Sequence, residues 1–218
     1  TEGGAGVVNT PLKILVASGN AKKLRELETV LAEFSIAGVE LVSLKDVEPY
    51  PEPPETGLTF EENALIKARA GAAATGLACV ADDSGIAVEA LNGMPGVLSA
   101  RWSGGHGDDQ ANNDLLLAQM SDIDHRAAAF VSCCVLVVPA ELSADGQSRE
   151  ITAEGRWEGA LLREPRGENG FGYDPLFEPA DCPGRSSAEL SPDEKNERSH
   201  RGAALRVLAP EIAKLVGA

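Results

Sequence analysis

The 218-residue sequence predicts an α/β fold with a mixed central sheet and flanking helices. Strand-like and helical patterns alternate in the first part of the chain, and two long strand-like runs, at 127–138 and 148–157, follow each other later. Hydrophobic residues make up 43% of the chain and charged residues 24%, which is typical of a globular protein. A chain of this length buries enough surface to fold without disulfides or a structural metal.

The first half of the chain predicts two strands and two helices. The strands are expected at 12–17 and 39–43, and the helices at 22–34 and 59–75. The first helix carries its leucines on one face, and a capping box from Thr59 to Glu62 opens the second. Between the second strand and second helix, residues 46–62 hold six acidic residues, four prolines and no base, so we expect an exposed loop there.

The second half begins with an apolar run at 77–81, which predicts a strand that ends in a turn at Asp82-Asp83-Ser84-Gly85. The following elements are a glycine-rich loop at 92–107, a helix at 109–120, the two long strands, a polar loop at 163–174, a capped helix start at Ser191 and an amphipathic tail at 203–216. The two long strands are expected to be neighbours because a short polar turn joins them.

The charge and cysteine content exclude several classes of function. With 19 Lys and Arg against 34 Asp and Glu, the net charge is −15, which argues against a nucleic acid polymer as partner. Four cysteines without a Cys-x-x-Cys pair and only three histidines argue against a zinc site. Since the longest apolar run is too short to span a bilayer, we expect a soluble cytoplasmic protein with no membrane contact. Residues 1–11 are predicted to be a flexible leader and 12–218 a single domain.

A turn that enters a helix offers a first candidate site, formed by Ser18, Gly19, Asn20, Ala21, Lys22 and Lys23. Free backbone N–H groups and the helix dipole favour a phosphate there, and Lys22 or Lys23 adds a cation. Ordinary N-cap chemistry with surface lysines is the simpler explanation of this cluster taken alone.

Carboxylates form a second and a third candidate site. Asp82 and Asp83 follow a buried strand, and Mg²⁺ prefers carboxylates combined with substrate phosphate oxygens. A turn stabilised by Asp and Ser side chains explains the same residues equally well.

The third candidate site is formed by Glu55, Asn63 and Lys67. A proline-stiffened loop leads to Glu55, and Asn63 and Lys67 share one helix face because they are four residues apart. A solvated helix face is the alternative for this group.

An aromatic loop forms the fourth candidate site. Phe171 and Tyr173 lie between glycines in a polar segment of a chain that is only 4% aromatic. An exposed ring there can stack on a nucleobase, while Asp174, His200 and Arg201 can bind its polar edge. A hydrophobic plug over the core is the alternative for the rings, and an ordinary surface histidine for His200.

Six motifs in this order resemble the inosine triphosphate pyrophosphatase family, in its bacterial branch of noncanonical purine NTP or dITP/XTP pyrophosphatases. The motifs are Ser18-Gly19-Asn20-x-x-Lys23, Glu55-Thr56-Gly57 continuing to Asn63 and Lys67, Ala81-Asp82-Asp83-Ser84-Gly85, Gly93-x-Pro95-Gly96-x-x-Ser99-Ala100-Arg101, Gly170-Phe171-Gly172-Tyr173-Asp174-Pro175, and Ser199-His200-Arg201-Gly202. The resemblance extends from about Lys13 to Val216.

The resemblance implies an elongated protein of two lobes enclosing a nucleotide-binding cleft, usually a homodimer. It implies hydrolysis of ITP, dITP and XTP to the monophosphate and pyrophosphate with Mg²⁺. One departure concerns the metal: many bacterial relatives have two acids before Thr-Gly, whereas here Pro54 precedes Glu55, so Glu55 would ligate the metal directly or through water.

The resemblance also implies a role for each matching residue. Asp83 would hold the metal with Glu55 and accept a proton, and Asp82 and Lys67 would complete the catalytic group. Residues 18–23 would hold the triphosphate and Ser84 would contact substrate. The nucleotide, mostly at its base end, would be bound by Phe171, Gly172, Tyr173, Asp174, Lys195, His200 and Arg201. Donors such as His200 or Arg201 would favour a 6-oxo purine over adenine.

Two other functions remain open from the sequence. One is a metal-dependent nucleotide phosphatase that releases inorganic phosphate, and the other is a non-catalytic nucleotide sensor on the same fold. The presence of both Asp82 and Asp83 together with Lys23 and Lys67 argues against the sensor, because binding alone does not need both carboxylates.

Overall fold

The computed structural model describes residues 10–217 and is built on a six-stranded mixed sheet with the strand order β2-β1-β3-β4-β5-β6. The strands are β1 Leu12–Val16, β2 Val39–Ser43, β3 Ala78–Val88, β4 Ala127–Val138, β5 Arg149–Leu161 and β6 Phe177–Pro179. Strand β1 pairs in parallel with β2 and β3, whereas β3 to β6 pair antiparallel. The predicted mixed sheet is therefore confirmed.

The described residues form five α-helices: α1 Ala21–Glu33, α2 Phe60–Thr75, α3 Asp109–Gln119, α4 Pro192–Glu197 and α5 His200–Leu215. The capping box predicted at the start of α2 is present, since the Thr59 side chain accepts from the Glu62 N–H. A short 3-10 helix, Gly96–Arg101, lies in the segment predicted to be a loop.

Helices cover both faces of the sheet because side chains alternate along its central strands. On one face, Leu136 of β4 lies in a core with the leucines of α1 and α5. On the other face, Val135 lies in a core with Ala64 and Ala68 of α2. A third core, around Phe130, Trp157 and Phe177, surrounds the β4–β6 end. No helix in the described part of the chain is long and apolar enough to cross a membrane.

The prediction of a turn at Asp82–Gly85 is wrong, because strand β3 continues without a break through these residues. Asp82 is paired with Cys134 and Asp83 with Cys133, so antiparallel hydrogen bonds to β4 override the local turn preference. Gly85 is needed there because a Cβ would lie 2.3 Å from the Ser99 Oγ. Successive strand residues face opposite sides, so Asp82 and Asp83 act on different faces of the sheet. The leader predicted at 1–11 lies almost wholly outside the described residues.

Candidate active site

Asp82 is the buried centre of a charged network at the edge where β1 and β3 meet the first turn of α1. Its Oδ2 atom lies 2.9 Å from the Lys23 Nζ and 3.3 Å from the Arg201 Nε, and its side chain is only 5% exposed. Burial alone raises the pKa of Asp82, but the charges of Lys23 and Arg201 outweigh it and hold that pKa at about 2. Asp82 is therefore an anion at neutral pH, and both cations lie against its Oδ2 atom.

Asp83 lies on the opposite face of β3 and belongs to the α2 side. The Asn63 Nδ2 donates to its Oδ2 at 3.1 Å, and the Ser84 N–H donates to its Oδ1 at 3.0 Å. Burial raises the pKa of Asp83, and the nearby Lys67 opposes this effect in part. A carboxylate with a raised pKa beside a cation has the properties of a proton acceptor.

Lys67 links the main chain of Asp82 to the side chain of Glu55. Its Nζ donates to the Asp82 carbonyl oxygen at 2.6 Å and lies 3.0 Å from the Glu55 Oε1. The proline-rich loop thus brings Glu55 to the same ammonium group that helix α2 presents. The structure thus joins the second candidate site, through Asp82, to the third, through Glu55 and Lys67.

These charged residues line a cavity of about 570 Å³, the catalytic cavity, together with Ser84 and Arg101. A smaller distal cavity of about 220 Å³ borders the same lysines and is also lined by Ser18 and Gly19. The two cavities share four residues, Lys23, Glu55, Lys67 and Asp82. Two positive and two negative side chains therefore stand where the two cavities meet.

The turn before α1 shows the N-cap chemistry considered as the simpler explanation, with Asn20 as the cap. The Asn20 side chain accepts from the Lys22 N–H at 3.0 Å, and the Ser18 Oγ accepts from the Asn20 N–H at 3.0 Å. A Cβ at Gly19 would meet no described atom within 4 Å, so packing in the described chain does not require glycine there. An open glycine beside a cavity is typical of a backbone that a ligand approaches closely.

An aromatic cavity of about 260 Å³ continues from the catalytic cavity, and the two share Ser84 and Ala100. This base cavity is lined by Phe130, Phe171, Tyr173, Asp174, Lys195 and His200. The Phe171 ring is 70% exposed, with the Lys195 Nζ 4.6 Å and the Lys22 Nζ 5.9 Å from its centroid. Lys22 therefore reaches toward the aromatic end of the cleft.

Asp174 shapes the loop that carries Phe171. It is 2% exposed, accepts from the Phe171 N–H and the Ser187 Oγ at 2.9 Å each, and pairs with the Lys195 ammonium. Nothing in the spacing of the sequence indicated Ser187. The hydrophobic plug considered for the two rings fits Tyr173, which is 5% exposed and belongs to the core around Phe130, but not Phe171, which is mostly in solvent.

His200 is packed beneath the base cavity. Its ring stacks on Phe130 with centroids 5.5 Å apart, so the alternative of an ordinary surface histidine is excluded. Burial, with a smaller effect of the Lys195 charge, lowers the pKa of His200 to about 4. The imidazole is therefore neutral at neutral pH and keeps one N–H donor.

Arg201 is not among the residues that line the base cavity, although the sequence analysis placed it at the base end. Its Nη1 atom donates to the Glu26 Oε2 at 2.5 Å and to the Lys23 carbonyl oxygen at 3.3 Å, and its Nε faces Asp82. The side chain is 8% exposed. Glu26 was missed because a polar residue on an amphipathic helix carries no signal of its own.

Known proteins with similar sequences are dITP/XTP pyrophosphatases. The protein of that name from Corynebacterium efficiens is 62% identical over 213 residues, which cover 94% of this chain and all of that one. The one from Mycobacteroides abscessus is 60% identical over 207 residues, covering 94% of this chain and 97% of the other.

Solved structures of similar chains have the same fold. The crystal structure of a nucleoside-triphosphatase, dITP/XTP pyrophosphatase, from Mycobacterium abscessus aligns with a TM-score of 0.77 at 60% identity, covering 92% of this chain and all of that chain. A HAM1 protein from Coxiella burnetii aligns with a TM-score of 0.81 at 39% identity, covering 93% and 99%. The Ham1 family model matches residues 14–211. On this sequence match, with the fold and cleft to support it, the chain belongs to the Ham1 family.

Proposed function

We propose that this chain hydrolyses noncanonical purine nucleoside triphosphates, namely ITP, dITP and XTP, to the monophosphate and pyrophosphate. One observation carries the proposal: an aromatic cavity adjoins a cavity lined by lysines and carboxylates, and Ser84 and Ala100 line both. A nucleotide has the matching shape, a flat ring joined to an anionic tail. The dITP/XTP pyrophosphatase activity named for relatives about 60% identical supports the same substrate class.

The carboxylates fit a Mg²⁺ ion that is completed by substrate. Asp82 is buried and pairs with both Lys23 and Arg201, so we assign the metal to Asp83 and the more exposed Glu55. Glu55 would exchange its ion pair with Lys67 for the metal, or bind it through the other carboxylate oxygen. Residues 10–217 contain no group of three or more His, Cys, Asp or Glu side chains that could hold a metal without help. Two carboxylates with phosphate oxygens and water are a typical Mg²⁺ environment. The ion would polarise the phosphate oxygens and lower the pKa of a bound water.

The reaction then needs one proton acceptor and several cations from the protein. A water oxygen attacks the α-phosphorus, the bond from that phosphorus to the bridging oxygen breaks, and pyrophosphate leaves with the bonding electrons. Asp83 accepts the proton of the attacking water, because burial raises its pKa. Lys23 and Lys67 neutralise the charge that spreads over the phosphate oxygens. The open turn at Ser18 and Gly19 receives the distal phosphates.

The base end combines affinity from stacking with selection by hydrogen-bond donors. Phe171 presents a free ring face, and every purine can stack on it. The neutral His200 and the Lys195 ammonium line the same cavity and can donate to a 6-oxo group, which adenine lacks. For Arg201 to reach the base, its guanidinium would have to leave Glu26 and Asp82. In its present position it supports Lys23 and Asp82 instead.

The proposal also covers the domain organisation, the cellular location and the oligomeric state of the protein. We expect residues 12–218 to act as one two-lobed catalytic domain in the cytoplasm, with no nucleic acid or membrane partner. We also expect a homodimer, supported by an apolar surface that Leu58, Phe60, Met94 and Val97 line and where Leu58 is 86% exposed. Analytical ultracentrifugation of the wild type and Leu58→Glu checks this point, and a monomeric wild type would contradict it.

Phosphorus NMR of the products tests the proposed reaction. Incubation of ITP with enzyme and Mg²⁺ should give IMP and pyrophosphate in equal amounts, and XTP and dITP should be cleaved far faster than ATP. Asp83→Asn serves as the inactive control. Release of inorganic phosphate and IDP would identify a phosphatase, and the absence of turnover on the whole panel would identify a sensor.

A further inference from the structure

Helix α3 holds the backbone of one residue in the aromatic loop, Gly172, on both sides of its Cα. The Gly172 N–H donates to the Asp109 Oδ2 at 2.8 Å, and the Asn113 Nδ2 donates to the Gly172 carbonyl oxygen at 3.0 Å. Asp109 and Asn113 are four residues apart, so they lie on the same face of α3. They therefore bind both polar groups of a residue that lies 63 and 59 positions further along the chain.

Neither Asp109 nor Asn113 forms a hydrogen bond that stabilises helix α3 itself, as far as the described residues show. The cap of α3 is supplied by Asp108, whose Oδ1 accepts from the Ala111 N–H at 2.9 Å, so Asp109 is free of that role. Asn113 is only 7% exposed, and its Oδ1 has no hydrogen-bond partner among the described residues. A buried amide whose oxygen is left unpaired is costly, and within residues 10–217 the one hydrogen bond that this amide forms is to Gly172.

The held residue controls the direction of the neighbouring ring. Gly172 adopts a left-handed conformation with φ +60°, between Phe171 and Tyr173. The Tyr173 hydroxyl is anchored to the Ser99 carbonyl oxygen at 2.6 Å, whereas the Phe171 ring is 70% exposed. Since little packing fixes an exposed ring, the backbone of the loop decides where the Phe171 ring lies.

We propose that Asp109 and Asn113 are positioning residues for base recognition. They hold the N–H and the carbonyl group of Gly172 so that the Phe171 ring faces the purine. The proposal rests on the proposed role of Phe171 as the stacking platform. Neither residue takes part in the chemical step. Their loss should therefore weaken substrate binding at the base end and leave the phosphate end unchanged.

Steady-state kinetics with ITP test the proposal in Asp109→Ala, Asp109→Asn and Asn113→Ala. We expect the KM for ITP to rise roughly tenfold in both alanine variants, with kcat within about twofold of the wild type. Asp109→Asn keeps an oxygen that accepts from the Gly172 N–H, so it should recover most of the affinity. The inhibition constant of inorganic pyrophosphate, which probes the phosphate end alone, should stay the same in all three.

A matched control lies on the same helix. Asp114 bonds to the Gln110 side chain within α3 and does not contact the aromatic loop, so Asp114→Ala should leave the KM unchanged. If the alanine variants weaken pyrophosphate as much as ITP, the helix has a general structural role and the proposal is overturned. Asn113→Ala makes the same distinction if Asp109→Ala does not fold.

A double variant separates positioning from direct contact, because Asp109 itself borders the base cavity. If Asp109 acts through Phe171, Asp109→Ala should add little to the defect of Phe171→Ala. An undiminished defect in the double variant would mean that Asp109 contacts substrate directly and would overturn the proposal.

An unchanged KM in Phe171→Ala would contradict the base site itself. A raised KM in Phe171→Ala with unchanged KM in the α3 variants would contradict only the role of α3.

Discussion

The Lys23 ammonium is bound to the Asp82 carboxylate, with 2.9 Å between Nζ and Oδ2, although Asp82 lies 59 positions further along the chain. Asp82 is fixed inside strand β3, so this ion pair fixes the first turn of α1 relative to the sheet. The ammonium group is therefore in place before any nucleotide arrives. A cation that is already oriented needs little rearrangement when negative charge develops, which is the main source of electrostatic catalysis.

Lys23→Ala should weaken triphosphates more than monophosphates. We expect the KM for ITP to rise about tenfold or more while the inhibition constant of IMP changes little, because the lost charge faces the distal phosphates. The neighbouring Lys22→Ala is the control: its Nζ lies 5.9 Å from the Phe171 ring, so it should affect ITP and IMP equally. Equal losses for both ligands in Lys23→Ala would contradict the assignment.

Asp83→Asn should remove turnover and keep the fold. The change retains size but removes basicity, so kcat should fall by about 10² or more. The Asn63 amide and the Ser84 N–H donate to different oxygens of Asp83, so one of the two loses its acceptor in the variant. The melting temperature should therefore fall modestly while the fold is kept. Near-normal hydrolysis by the folded variant would exclude Asp83 as the proton acceptor.

Phe171→Ala should depress the hydrolysis of all purine triphosphates by similar factors. Stacking contributes roughly 1–3 kcal/mol per base and does not distinguish purines, so kcat/KM should fall about five- to a hundredfold for ITP, XTP and ATP alike. The measurement is kcat/KM for the three substrates in parallel. A loss confined to ITP and XTP would show that the ring selects the base.

Arg201→Leu should cost far more stability than Arg206→Leu on the same helix. Arg201 is 8% exposed and faces Asp82 and Glu26, so its loss leaves a buried anion with one cation fewer and should cost about 3–5 kcal/mol. Arg206 is 38% exposed in its pair with Glu33, and such surface pairs contribute about 0–1 kcal/mol. Urea denaturation measures both, and equal costs would contradict the buried network.

His200 should make the free energy of unfolding fall as the pH falls from about 6.5 to about 4. Burial lowers its pKa from 6.5 to about 4, so in this range the unfolded chain binds a proton that the folded protein does not. His200→Gln should flatten this part of the pH dependence, as followed by urea denaturation at pH 7 and pH 5. His106→Gln, at an exposed position, is the control; an unchanged slope in His200→Gln would contradict the prediction.

The order and limits of most elements were predictable because periodicity and caps are local signals. Strand β2 is found at the predicted residues, and α2 begins one residue later, after its cap Thr59. The course of β3 through Asp82–Gly85 was not predictable, because the residues themselves favour a turn and only pairing with β4 overrides it.

The candidate site was predictable as a set of motifs, but the partner of each side chain was not. Arg201 follows His200 in the sequence, so both were expected at the base. Successive residues of a helix point about 100° apart, so the guanidinium meets Asp82 and Glu26 instead. Asp109 and Asn113 carried no signal, since their partner is a backbone group about sixty residues away.

The uninterrupted course of β3 divides the cleft into a stiff half and an adjustable half. Asp82, Asp83 and Ser84 are set in a strand hydrogen-bonded to β4 along ten residue pairs, so none of them can shift without disturbing the centre of the sheet. Glu55 and Phe171 stand on loops instead. We therefore expect those two loops to adjust when purines of different outline bind and when products leave. The strand residues proposed to act at phosphorus keep the same spacing for every substrate.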